Sequence, residues 1–148
     1  MSPQDTLDID TACTLPFPRQ TVFDAFARPG QLALWWGPDG FSNVIHRFEF
    51  ENGGTWEITM TASDGTDFLN RSTFTEIVAP ERIVFRHHEP IHLFDMDMRF
   101  EELGPQETRL SWRMRMPATE ENRLMAKFFA LANEQNFARL ERVLAGLR

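Results

Sequence analysis

The chain has 148 residues, 42% hydrophobic and 25% charged, enough to bury one core without disulfide or metal staples and unlike disordered, collagen-like or membrane-spanning compositions. Its 22 acidic against 15 basic side chains give a formal charge of −7, which disfavours a grip on a phosphate backbone, so nucleic acid is not an expected partner. With Cys13 as the single cysteine, an intrachain disulfide and a cysteine-based metal site are both excluded, and an inert thiol is expected.

One domain spanning residues 1–148 is expected. The opening stretch Met1 to Asp10 is acidic and polar where a secretory leader would be basic and then apolar. No window approaches the roughly 18 to 20 apolar residues of a membrane helix, so the expectation is a cytoplasmic protein with no membrane partner.

Residues 7–15 alternate loosely and read as a strand, which Pro16 and Pro18 end by removing backbone donors. Gln20 to Ala27 then carries a broad apolar face of Val22, Phe23, Ala25 and Phe26. Pro29-Gly30 interrupts it before Leu32, Leu34, Trp35 and Trp36 resume. Two short helices forming a kinked cap result, and Trp35-Trp36, stopped by Gly37-Pro38, reads as a lid or plug over one open end of a curved sheet.

From Asn43 the period becomes twofold. Val44, His46, Phe48 and Phe50 share one face, and beyond the Asn52-Gly53-Gly54 turn Trp56, Ile58 and Met60 continue it. After Ser63-Asp64-Gly65, residues 68–78 form a strand of open register: either Asn70, Ser72 and Phe74 face inward, with Glu76 following them, or Leu69, Arg71 and Thr73 do. Arg82 to His88, His92 to Phe100 and Thr108 to Met116 complete a meander. Its short turns require antiparallel pairing, with Phe94, Met96, Met98 and Phe100 inward on one strand and Leu110, Trp112, Met114 and Met116 on the next. The arginines at outward positions read as solvated faces.

Thr119 can cap a last helix with Glu120, Glu121 and Asn122 in its first turn, running to Leu147. Its apolar stripe is Met125, Phe129, Phe137, Leu140, Val143, Leu144 and Leu147, with Asn133 and Asn136 in the middle. Buried amides need partners: backbone, water, a polar ligand atom or a second subunit. The element order gives an α+β fold class, a sheet of six to seven antiparallel strands with the long C-terminal helix across its apolar face.

Three motifs in order carry a resemblance: RPGQLALWWGPDGF at Arg28 to Phe41, the Gly53-Gly54-x-Trp56 run, and FTEIVAPERIVF at Phe74 to Phe85. From about Asp8 to Leu147 the chain resembles the START-like, Bet v 1-like (SRPBCC) superfamily. Within it, the similarity is to the branch named after the activator of Hsp90 ATPase, its C-terminal-domain homologues, also grouped with polyketide cyclases and dehydrases. The resemblance implies a helix-grip fold with a hydrophobic cavity between sheet and C-terminal helix, and a homodimer. Many members carry a Gly-Trp pair in the last helix where this chain has Gln135-Asn136, which implies a more polar cavity wall here.

The expected function is binding of a small hydrophobic or aromatic molecule, without a cofactor. The expected wall is Trp36, Phe48, Trp56, Ile58, Phe74, Phe85, Met96, Met98, Trp112, Asn133 and Phe137. One alternative is a cyclase, aromatase or dehydrase that uses His46 or His87 as an acid or base inside the cavity. Another is a co-chaperone-like interaction module. No metal is expected at His87-His88 and His92, because strand alternation sends His87 and His88 to opposite faces whereas metal ligands must converge.

Overall fold

Pro16 and Pro18 stop the first strand at the point where the chain must cross from one edge of the sheet to the other. The computed structural model describes residues 5–147. β1 (Thr6–Leu15) leads into α1 (Arg19–Ala27) and α2 (Pro29–Trp35). The meander follows as β2 (Ser42–Phe48), β3 (Thr55–Thr61), β4 (Asp67–Val78), β5 (Arg82–Glu89), β6 (Phe94–Gly104) and β7 (Glu107–Pro117), and α3 (Glu120–Gly146) ends the chain. The strand order is β1-β7-β6-β5-β4-β3-β2, antiparallel throughout. Consecutive strands β1 and β2 are therefore opposite edges, and α1 and α2 between them close one end of the sheet. This is the expected helix-grip α+β fold.

Local chemistry explains the helix starts. Pro29 occupies the first turn of α2, where its missing N–H costs nothing. The Thr119 hydroxyl oxygen accepts from the Asn122 amide at 3.1 Å, and Glu120 and Glu121 sit at the positive end of the α3 dipole.

Apolar side chains of α1 and α2 fill the end they close. Val22, Phe23, Phe26, Leu32 and Trp35 are buried, and Phe26 meets Trp35 and Phe100 edge-on at 4.7 and 4.9 Å between ring centres. Trp35 is a core residue rather than a lid: it is fully buried and its indole N–H donates to the Ala25 carbonyl at 3.1 Å. Cys13 is half-buried, and burial pushes its thiol up to about 12, which leaves almost no thiolate at neutral pH.

Two bulges revise the strand parity. In β2, Ile45 pairs with Ile58 and Phe48 with Trp56, with an extra residue between Ile45 and Arg47. Strict alternation carried back from Phe48 puts Val44 and His46 inside, but the extra residue reverses the faces before it. Val44 is exposed, and so is His46, whose Nε2 lies 2.7 Å from the Thr59 hydroxyl on the outer face. In β4 the inward set is Asn70, Ser72 and Phe74, but a bulge between Phe74 and Glu76 turns Glu76 outward to Arg82 at 3.2 Å.

The outward arginines are not isolated. Arg115 holds Asp8 and Arg113 holds Asp10 across β1 and β7, and Arg86 grips Asp95 across β5 and β6, each through two nitrogens. Asp97 lies between Arg82 and Arg99. The Arg115 hydrogen bond holds the Asp8 carboxyl below the usual carboxylate range. Asp97, which partial burial alone would raise, is held down by Arg82 and Arg99. A depressed carboxylate stabilises the fold above its unfolded pKa, and that contribution is lost as pH falls through the folded one. Solvent screening keeps each pair's share small.

α3 spans 27 residues, and its second half is the better covered, the first resting on the core through Ala126, Phe129 and Ala130. Asn133, Asn136, Phe137, Leu140 and Leu144 are buried, whereas Leu124, Phe128 and Leu131 are 70%, 53% and 51% exposed. The expected stripe therefore overreaches at both ends, since Met125 and Leu147 are also exposed.

Candidate functional site

With α1 and α2 filling one end, the space inside the other end of the sheet is left open. A cavity of about 300 Å³ lies there, between the inward faces of β3 to β7 and the middle of α3. Trp36, Trp56, Ile58, Phe85, Met96, Trp112 and Asn133 of the expected set line it. Phe48, Phe74, Met98 and Phe137 do not. Phe74 and Met98 instead border a separate void of about 10 Å³ beside Phe26, Leu32 and Phe50, under the helical cap. Phe48 stacks on Phe50 at 5.6 Å, and Phe137 packs edge-on against Trp112 at 4.7 Å. Parity assigns a residue to a face, whereas its level along the strand decides whether it meets the cap or the cavity.

Trp36 divides the two spaces, since it borders both the cavity and the small void. Its ring lies 5.1 Å from Trp56, 5.5 Å from Trp112 and 6.0 Å from Phe85. It is an inner wall and not a cover over the mouth. The rim is instead at the β5–β6 loop, where Pro90, Ile91 and His92 join the lining and Ile91 is 79% exposed. Ile91 takes a φ of 66°, a left-handed conformation that strains a β-branched residue.

Sequence parity could have added Met60, Phe94 and Met114, which share the inward faces of β3, β6 and β7. Phe68 shares the parity of Asn70 and Ser72, and Phe129 the apolar stripe of α3, so both were within reach of the same patterns; Phe41 belongs to no periodic segment, and only the assembled fold brings it in.

Trp36 and the turn after it are held by α3. The Asn136 side-chain oxygen accepts from the Gly37 amide at 3.2 Å, and the Gln135 oxygen from the Asp39 amide at 3.1 Å. One Arg139 nitrogen donates to the carbonyls of Trp36, Gly37 and Pro38 at 3.1, 2.9 and 2.8 Å, and another to Phe41 at 2.7 Å. From below, the Asn43 amide nitrogen reaches the carbonyls of Ala33 and Trp36. Gln135-Asn136 thus serves as a backbone clamp on the tryptophan turn. Asn133 donates to the Thr11 hydroxyl at 3.4 Å, so both helix amides find partners within the chain.

His87 is the buried histidine on the wall, stacked on Phe94 at 4.6 Å. Its Nδ1 lies 2.6 Å from the His92 carbonyl and its Nε2 2.7 Å from Asn70 Oδ1, so protein oxygens occupy both ring nitrogens. Burial pushes its pKa below the ordinary imidazole value. A depressed histidine stabilises the fold above its unfolded pKa, and the contribution is lost as pH falls through the folded value. His88 points out to the Thr73 hydroxyl at 2.8 Å, and His92 packs edge-on against Phe129 at 5.1 Å. The three histidines therefore face in three directions.

Two of the wall residues carry an unusual polar atom. The indole nitrogens of Trp56 and Trp112 are fully buried and have no hydrogen-bond partner. A buried donor left unpaired costs about 1–3 kcal/mol. Among the described residues, no Asp, Glu, Lys or Arg side chain lines the cavity.

Comparison with known proteins agrees with this architecture. The family model described as "Activator of Hsp90 ATPase homolog 1-like protein" matches residues 16–145. The chain belongs to that family. Among solved structures, a Nitrosomonas europaea protein superposes with a TM-score of 0.83 at 20% identity, covering 96% of each chain. An Arthrobacter aurescens protein gives 0.85 at 23% identity over 95% of this chain and 87% of its own. The AHSA1 protein of Silicibacter pomeroyi gives 0.81 at 19% identity over 96% and 100%. At these identities the likeness is one of fold. No curated protein matches significantly. The family's fold is a ligand-binding one in general terms. Among the described residues no helix is long and apolar enough to cross a membrane.

Proposed function

We propose that this member of the family binds a small hydrophobic or aromatic molecule in the cavity bounded by Trp36, Trp56 and Trp112. The observation that carries the reading is the cavity itself, about 300 Å³ of space lined mainly by aromatic rings and methionines. Binding sites for small molecules are concave, largely apolar and furnished with a few placed polar groups. Thioether chains repack readily around irregular apolar shapes, and Met60, Met96 and Met114 are on the wall. Binding is favoured over an acid–base reaction because His46 lies on the outer face and both nitrogens of His87 are engaged by protein oxygens.

The test is a titration with the fluorescent hydrophobe 1-aminoanthracene. One saturable site is expected in the parent protein. In Ala132→Trp, where a small residue of the α3 wall becomes a large one, affinity should fall at least about tenfold while the fold is retained. An absence of saturable binding, or equal binding by Ala132→Trp, would refute the cavity reading.

The resemblance also implies a homodimer, and the exposed Leu124, Phe128 and Leu131 support self-association through the first half of α3, since they fall on one helical stripe. Sedimentation of the parent should then give a dimer and Phe128→Glu a monomer. A monomeric parent removes this reading.

A further inference from the structure

The rim of the cavity is the short β5–β6 loop, Pro90 to Leu93, and two contacts fasten it. The His92 ring packs edge-on against Phe129 of α3, and the His92 carbonyl oxygen lies 2.6 Å from His87 Nδ1. Ile91 stands between Pro90 and His92 at a φ of 66°, with its side chain in solvent. A β-branched residue keeps such a backbone only while its surroundings impose it, so the loop is held rather than relaxed.

His87 faces two acceptors and, when neutral, has a proton for only one. A carbonyl oxygen accepts only, so the His92 contact is a bond when Nδ1 carries the proton. On the other side, Nε2 lies 2.7 Å from Asn70 Oδ1. The Asn70 amide cannot be turned over without loss. Its nitrogen donates to the Phe68 carbonyl at 3.1 Å, where the amide oxygen would face another oxygen. A neutral imidazole has a single N–H. With the proton on Nδ1 the ring holds the loop and opposes Asn70; with it on Nε2 the ring holds Asn70 and lets the loop go. The doubly protonated ring donates to both oxygens at once, and its charge strengthens each bond.

We infer that His87 is a proton-operated latch on the β5–β6 loop, fastening it at the cavity rim when both ring nitrogens are protonated and dividing one proton between loop and Asn70 when they are not. The inference rests on the binding function proposed above and adds control of entry and exit. Few groups bear on the charge of the ring: His88 and Glu89 follow it on β5, and His92 sits on the loop. Glu89 is drawn outward to Arg71 of β4 at 3.2 Å, and Asp95 of β6 to Arg86 at 2.8 Å. The β3, β7 and α3 residues that line the cavity carry no charge. Burial is therefore uncompensated and holds the ring below the ordinary imidazole value of 6.5, so the loop is loosely held at neutral pH and fastened on acidification. Global stability moves the other way, since it falls as the buried ring takes up its second proton.

The test pairs stopped-flow measurement of 1-aminoanthracene leaving the protein with nitrogen–proton spectra of the imidazole rings. Exit should slow at least about fivefold as His87 passes from neutral to doubly protonated, the effect of one net hydrogen bond. Asn70→Leu removes the competing acceptor, so the neutral ring keeps its proton on Nδ1 and exit should be slow at every pH. Asn70→Asp sets a carboxylate opposite the ring and should move the transition to higher pH. Exit that quickens in acid, or a rate that does not follow the His87 titration, overturns the latch. An Asn70→Leu profile with the parent's pH dependence does the same. Should a variant fail to fold, the parent's rates and spectra still decide. If 1-aminoanthracene does not bind at all, the function proposed above fails, and the spectra alone judge the latch: the neutral ring should populate both tautomers, and a single fixed tautomer overturns it.

Discussion

Gly54→Ala should destabilise the protein by about 4 kcal/mol or more, among the largest effects a single methyl group can have. A Cβ at residue 54 would lie 1.9 Å from the backbone oxygen of Glu49, a contact that no side-chain rotation relieves. The segment cannot move aside cheaply. The Gly54 amide donates to Glu51, its carbonyl accepts from Phe74, and Glu49 is bonded to Thr55 through backbone and side chain. Gly53 beside it is the control. Its φ of 82° strains an alanine, but nothing lies within 4 Å of its Cβ position, so Gly53→Ala should cost only about 1–2 kcal/mol. Urea unfolding of both variants measures the difference, and a Gly54→Ala midpoint close to that of Gly53→Ala would show that the turn yields more easily than its packing implies. This close approach gives the Gly-Gly-x-Trp motif a mechanical reason: two glycines serve two separate needs.

Trp36→Ala should cost about 3–5 kcal/mol and change what the cavity accepts. The ring is 9% exposed and touches Trp35, Trp56, Phe85 and Trp112, so its removal deletes aromatic contacts that neighbouring side chains cannot replace. It also removes the partition between the cavity and the small void under the cap. Against a total stability of about 5–15 kcal/mol the fold should survive, with a lower denaturation midpoint and weaker binding of 1-aminoanthracene. Trp36→Phe should recover most of the stability. An alanine variant that keeps parental affinity would mean that the probe binds away from this wall.

The fold was readable from the sequence because its signals are periodic and redundant. The inward sets of β6 and β7 alternate without interruption, the proline and glycine turns are short, and the capped final helix is long. The cavity wall was readable only in one dimension. Trp56, Phe85 and Met96 share inward parity with Phe74 and Met98, yet the first three border the cavity and the other two lie under α1 and α2. That division depends on how far the helical cap reaches down the sheet, a tertiary distance no alternation encodes. His46 failed for a different reason: one extra residue in β2 reverses every side chain before it, and a bulge leaves no composition signal in that stretch. Gln135-Asn136 was recognisable as unusual, but its partners are the Gly37 and Asp39 amides, about a hundred residues away in sequence.

The uneven covering of α3 has a mechanical consequence. Its C-terminal half is bolted to the rest of the protein by Arg139, Asn136 and the buried Phe137, Leu140 and Leu144. Its N-terminal half leans on the rim with much of its apolar surface in solvent, and Phe129 there touches His92 of the β5–β6 loop. A helix packed at its C-terminal half and tied at its N-terminus to β7 by the short Ala118-Thr119 link, with Asn122 donating to the Pro117 carbonyl, behaves as a beam supported at both ends. The span between the supports is the part that can be displaced at least energetic cost, and it is also the part that borders the entrance. A molecule too large for the resting space would therefore meet a wall that bends before it meets one that breaks.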